Sequence, residues 1–129
     1  ECLVPLGVAA MGVNCGNNLV DSEAAVAEMR AADPEVLLIS KANAGIPVWE
    51  GAHLTYSGTP EVMAAHSHRV RTAGASIIGA CCGSAPEHIA HMSDVLAGIA
   101  DVPEVDAPAP TAGREQPGRV RAGRRRRRS

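Results

Sequence analysis

The chain has no phenylalanine, one tryptophan and one tyrosine among 129 residues, so the large side chains that usually anchor a core are almost missing. No apolar run approaches the ~18 residues that a membrane-crossing helix needs, which excludes a helical span. No charged-then-apolar leader opens the sequence, and the expectation is a cytoplasmic protein rather than a secreted one. The four cysteines, Cys2, Cys15, Cys81 and Cys82, are not spaced like a small disulfide scaffold, and a bridge between the neighbours Cys81 and Cys82 would be strained. They are expected as reduced thiols, for which metal binding or catalysis is the better reading. The sequence opens on Glu1-Cys2 without Met. With so few anchoring aromatics, it reads as a piece of something larger.

What is present, 46% hydrophobic and 20% charged residues, suits one soluble globular domain. The charge is unevenly placed. Residues 1–102 carry four basic against eleven acidic side chains, a net of −7, and residues 103–129 carry eight against three, a net of +5. That second segment is built from Pro, Ala, Gly and Arg and ends in the arginines Arg124 to Arg128. It has too little apolar surface to offset its ordering entropy, so residues 1–102 are expected to fold and 103–129 to form a disordered tail. An arginine run can bind phosphate backbones. Here it lacks interleaved aromatics and sits on an acidic body, so nucleic acid is not an expected partner.

Strand, loop and helix recur three times. Val8–Val13 is an apolar strand ending in Asn14-Cys15-Gly16-Asn17-Asn18, followed by a helix capped by Asp21 or Ser22 and stopped at Asp33-Pro34. Val36-Leu37-Leu38-Ile39 reads as a parallel strand covered on both faces. A loop runs through Gly45 to Gly58 and carries Trp49, Glu50 and Tyr56, placed to cover a site. Thr59-Pro60-Glu61 then opens a second helix that Gly74 ends. Ala75–Gly79 is the third strand, Ala80-Cys81-Cys82-Gly83 its loop, and Ser84 with Glu87 a capping box for the third helix. The grammar is that of a parallel α/β fold. His66, His68, His88 and His91 fall in the helices and are expected to face solvent.

Asn14, Cys15, Lys41, Asn43, Cys81 and Cys82 all follow strands, where active sites lie in open parallel sheets and in (β/α) barrels alike. If the strands are neighbours, Cys15 and the Cys81-Cys82 pair share one rim although Cys81 lies 66 positions after Cys15. Three thiolates would select Zn²⁺ and leave a fourth tetrahedral position open for a thiol substrate, whose sulfur would then attack an activated carbon. Unrelated buried cysteines, a closed structural zinc site to which Cys2 could contribute, and a redox or structural thiol protein are the competing readings. Asn14, beside Cys15, is expected to tune such a site by hydrogen bonding. Asn43 is expected to touch substrate or to shape its loop.

Gly12-Val13-Asn14-Cys15, then Lys41-Ala42-Asn43-Ala44-Gly45-Ile46-Pro47, then Ile78-Gly79-Ala80-Cys81-Cys82-Gly83-Ser84-Ala85-Pro86-Glu87-His88-Ile89 resemble the three consecutive signatures of the homocysteine S-methyltransferase family, over about residues 3–98. The family commonly has Gly at the position of Ala80. The resemblance implies the C-terminal three βα units of a (β/α)8 TIM-type barrel, with Cys15, Cys81 and Cys82 as ligands of a Zn²⁺ that activates homocysteine. It implies a small methyl donor as the second substrate and methionine as product, and Asn14 and Asn43, by their place on the same rim, are the substrate-binding candidates. The wording of 14–18 and 41–45 leans toward betaine as donor. The other expectation is a truncated, non-enzymatic zinc-binding homologue. Three units leave the outer strands with unpaired edges and predict self-association into an oligomer.

Overall fold

The computed structural model describes residues 3–107, so Cys2 and most of the arginine-rich segment, 108–129, lie outside the described residues. A 3-10 turn at Val4–Leu6 leads into β1 (Ala10–Cys15), α1 (Leu19–Ala32) and β2 (Leu37–Ala42). A hairpin of β3 (Pro47–Glu50) and β4 (His53–Tyr56) follows, then α2 (Pro60–Thr72), β5 (Ile77–Ala80) and α3 (Pro86–Leu96). Strands β1, β2 and β5 form one parallel sheet in the order β1-β2-β5. The register sets Cys15 opposite Ala42 and Ala42 opposite Ala80, so all three strands end level. Gly12 permits the close approach of β1 to β2, because a Cβ there would overlap the Ile39 carbonyl.

The three helices cover one face of this sheet. Leu38 packs with Val26 of α1 and Val70 of α2, while Ala42 packs with Leu19, Val62, Met63 and Met92 from all three helices. The opposite face is open, and Leu37 and Ile77 are each 50% exposed on it. The expectation of a β2 covered on both faces is therefore corrected: Leu38, Ser40 and Ala42 are buried, whereas Leu37 and Lys41, on the other face, are exposed. Period-two side-chain alternation makes the two faces independent, and an apolar run does not say whether both are covered.

Helix starts differ from the sequence reading in two places. Helix α1 begins at Leu19, because the extended Asn18 accepts the Asp21 N–H at 2.7 Å and so caps in place of Asp21 or Ser22. Helix α3 begins at Pro86 with Ala85 as its cap residue. The Ser84–Glu87 box is replaced by His88, whose Nδ1 accepts the Ala85 N–H at 3.0 Å, and the buried Ser84 hydroxyl has no partner among the described residues. Thr59 caps α2 as expected, accepting from Val62 at 3.4 Å.

Two of the histidines expected in solvent are buried. His88 places its other ring nitrogen 3.0 Å from the Gly58 carbonyl, so that atom donates while Nδ1 accepts. His66 is fully buried, with Nδ1 2.8 Å from Glu23. Arg69 donates to the same carboxylate oxygen at 2.9 Å, which ties α1 to α2. His68 is exposed, as expected, and His91 half-buried. Among the described residues beyond α3 there is no helix or strand, yet Val105 and Ala107 pack against the core and Arg69 donates to the Val105 carbonyl at 3.4 Å. Packing onto the body thus continues five residues past Val102.

The segment 45–58, expected as a loop, is the β3–β4 hairpin. Pro47 pairs with Tyr56 and Glu50 with His53, and Gly51, with φ of 64°, makes the turn. Val48, Trp49, Leu54, Thr55 and Tyr56 are strand formers on either side of that glycine.

Candidate metal centre

Cys15 is the last residue of β1, and its φ of 63° puts a non-glycine residue in the left-handed region. Such a conformation is held only by its surroundings. Here it turns the thiol toward the loop after β5, and the Cys15 and Cys81 sulfurs lie 3.1 Å apart. Cys81 and Cys82 follow β5, with their sulfurs 3.8 Å apart. All three Sγ atoms lie within 4.8 Å of one another. Thiolates on a tetrahedral ion with bonds of ~2.3 Å stand roughly 3.8 Å apart, so the donor set suits one zinc-like ion after a small opening of the Cys15–Cys81 pair. Cys15 and Cys81 are half-buried and Cys82 is exposed, which leaves one side of the cluster accessible.

Without an ion, the thiols share protons unequally. The hydrogen bond with Cys81, then burial and the neighbouring sulfur charges, push the Cys15 thiol up to about 11. The hydrogen bond from Cys15, followed by one from Cys82, holds Cys81 below the ordinary thiol value, and the Lys41 charge adds to this. Of Cys15 and Cys81, negative charge therefore settles first on Cys81.

Tyr56 reaches the cluster from β4. Its ring lies so close over Gly83 that a Cβ at that position would overlap it. Burial, then the charge and hydrogen bonding of Cys82, push the Tyr56 hydroxyl up. The sequence reading gave Tyr56 only a covering segment. The hairpin pairing of Pro47 with Tyr56 is the signal that would have brought it to the rim.

Asn43 sits between the two cysteine loops, bonded to the backbone of both. Among the described residues, no hydrogen bond joins the Asn14 side chain to the three thiols. Asn14 is exposed, abreast of Lys41 in the register, and lines a cleft of about 240 Å³ with Val13, Gly16, Asp21, Ser22 and Ala25. Both His88 ring nitrogens are engaged by the main chain, one with the Ala85 N–H and the other with the Gly58 carbonyl, which leaves neither for a metal. Among the described residues, no helix is long and apolar enough to cross a membrane.

The chain is 28% identical over 96 residues to the methionine synthase of Mycobacterium tuberculosis, an alignment covering 74% of this chain and 8% of that protein. It is also 28% identical over 94 residues to the methionine synthase of Mycobacterium leprae, covering 72% and 8% respectively. The matched part thus spans about 8% of the length of these curated relatives. The family model for homocysteine S-methyltransferase matches residues 1–96, which contain the whole sheet, its helices and all three clustered thiols. The chain belongs to the homocysteine S-methyltransferase family.

Proposed function

We propose that this chain carries the zinc-binding part of a homocysteine S-methyltransferase, in which Cys15, Cys81 and Cys82 hold Zn²⁺ and homocysteine is methylated to methionine. The observation that carries the reading is the convergence of three thiols within 4.8 Å at the ends of β1 and β5. Held by Cys15, Cys81 and Cys82, the ion would supply Lewis acidity that lowers the pKa of the acceptor thiol. The protein groups do the positioning. Cys15 and Cys81 form the half-buried side of the cluster, and the exposed Cys82 leaves the approach for substrate. Reduced thiols of this kind suit a cytoplasmic setting.

A segment of a (β/α)8 barrel is the architecture that best accounts for the sheet. Doubly wound sheets place helices on both faces, whereas a barrel places all its helices outside and lines its interior with the other face. Here α1, α2 and α3 share one face, and Leu37 and Ile77 stand exposed on the other. The reading assigns β1, β2 and β5 to the sixth, seventh and eighth barrel strands. It also predicts that residues 1–129 alone associate through their open edges and do not turn over homocysteine. Betaine is the donor to test first, with S-methylmethionine and methylfolate as comparators.

Metal analysis of the full chain tests the ligand set. About one zinc per chain is expected, with sulfur coordination at ~2.3 Å. Cys15→Ala and Cys82→Ala should each lose most of it. Undiminished zinc in either variant overturns the assignment.

A further inference from the structure

Lys41 is the one basic side chain in the three strands of the parallel sheet. The register sets Asn14, Lys41 and Gly79 abreast, one residue before the level at which the strands end, so Lys41 stands about 3.3 Å below the rim that holds the thiols. Its neighbours Ser40 and Ala42 are buried beneath the helices, which turns Lys41 to the open face, where it is exposed. There its stem lies over Gly79: a Cβ at that glycine would sit 3.6 Å from the Lys41 Cγ and 3.9 Å from its Cε. The side chain therefore runs toward β5, the strand that leads to Cys81, and its charge is felt at that thiol. Among the described residues Lys41 has no ion pair and no side-chain hydrogen bond, whereas Arg69 is paired with Glu23, and Arg30 donates to the carbonyls of Asp33, Pro34 and Gly74.

We propose that Lys41 is the carboxylate anchor of this site, its ammonium taking the α-carboxylate of the amino-acid thiol whose sulfur occupies the open metal position. The assignment rests on the metal-centre reading and names the substrate group that the open face receives. Charge selects a cation here. Three thiolates on a divalent ion make a net negative centre, a substrate sulfur makes it more so, and residues 1–102 carry eleven acidic against four basic side chains. A carboxylate brought beside that centre is repelled unless a cation meets it. Reach selects Lys41. A sulfur held at the rim leaves the rest of its molecule free to fold down over the open face, and in homocysteine the carboxylate stands three carbons from the sulfur. Gly79, with no side chain of its own, keeps the strip between Ile77 and the Cys81 loop clear for those carbons and for the ammonium. The attraction is that of a flexible point charge, so an arginine in the same place would keep most of it.

The test reads binding, which needs the loaded centre and its rim but no turnover. The full chain is loaded with cobalt(II) in place of zinc, whose thiolate charge-transfer bands change when a further sulfur joins the ion. It is titrated with homocysteine, with mercaptobutanoate, which keeps the carboxylate without the amine, and with aminopropanethiol, which keeps the amine without the carboxylate. Lys41→Met should weaken the first two about tenfold, the scale of one charged hydrogen bond, and leave aminopropanethiol within about twofold. Lys41→Arg should recover most of the loss, and neither variant should change the cobalt bands seen without thiol. Equal effects on all three thiols, or no effect on any, overturn the proposal. Betaine, a donor that brings its own carboxylate, separates the two sources of that group. It should leave the thiol affinities unchanged; a loss of mercaptobutanoate binding in betaine that Lys41→Met abolishes would put the donor's carboxylate on Lys41 and overturn the assignment. If the parent shows no sulfur-bound cobalt, the metal-centre reading falls and the anchor with it. If the loaded parent binds no thiol, the open position and the anchor fall together. If it binds all three as Lys41→Met does, only the role of Lys41 falls.

Discussion

Replacing Gly83 by alanine tests the seating of Tyr56 on the cysteine loop. Gly83 has a φ of 77°, and its missing Cβ leaves the space that the Tyr56 ring fills. Two costs follow. Left-handed backbone costs an L-residue about 1–2 kcal/mol, and forcing a methyl group into an occupied contact costs about 1–3 kcal/mol more. The sum, about 2–5 kcal/mol, is a large share of the roughly 5–15 kcal/mol by which a domain is stable. The ring cannot slide away freely, because Tyr56 also packs against the cluster of Leu19, Ala42, Ala44, Val62, Met63 and Met92. Denaturant unfolding of the full chain, followed by circular dichroism, measures the loss. Tyr56→Ala in the same background removes the overlap and leaves only the backbone cost, so the two substitutions should couple by about 1–3 kcal/mol rather than add. A Gly83→Ala variant within about 0.5 kcal/mol of the parent, or strict additivity with Tyr56→Ala, would refute the packing argument.

Gly12→Ala should be comparably damaging, about 2 kcal/mol or more, because the new methyl meets the Ile39 carbonyl of the paired strand; unchanged melting would show that β1 and β2 are not this close. Burial raises the Glu23 carboxyl, but hydrogen bonds from His66 and Arg69 outweigh it and hold the group below its usual 4.5. A lowered folded pKa means that this stabilisation is complete above about 4.5 and lost as pH falls through the folded value. Glu23→Gln should accordingly be less stable than the parent at neutral pH, with the gap closing on acidification. A pH-independent difference in unfolding free energy would argue against the Glu23–His66–Arg69 network. Val105→Ala should cost about 1 kcal/mol by removing half-buried contact with the core. The sequence reading, with folding ending at Val102, expects no loss, and a melting curve decides between them.

The repeat of strand, loop and helix, the parallel class, and the position of Cys15, Cys81, Cys82 and Asn43 at strand ends were legible in the residues alone. These rest on local signals: apolar runs, the Thr59-Pro60 start, and the Gly74 stop. Caps were less legible, because Asn18, Asp21 and Ser22 are all competent N-cap residues. The choice among them came from which one lay extended where the chain leaves β1. His66 and His88 illustrate a different limit. A helix pattern gives a residue's face, but the partner on that face, Glu23 for one and the Gly58 carbonyl for the other, lies 43 and 30 positions away. Only tertiary structure decided that the helices share one side of the sheet, that Tyr56 returns through a hairpin to Gly83, and that the Asn43 amide bridges two turns. Each of these depends on backbone direction between elements distant in sequence, which residue type and spacing do not encode.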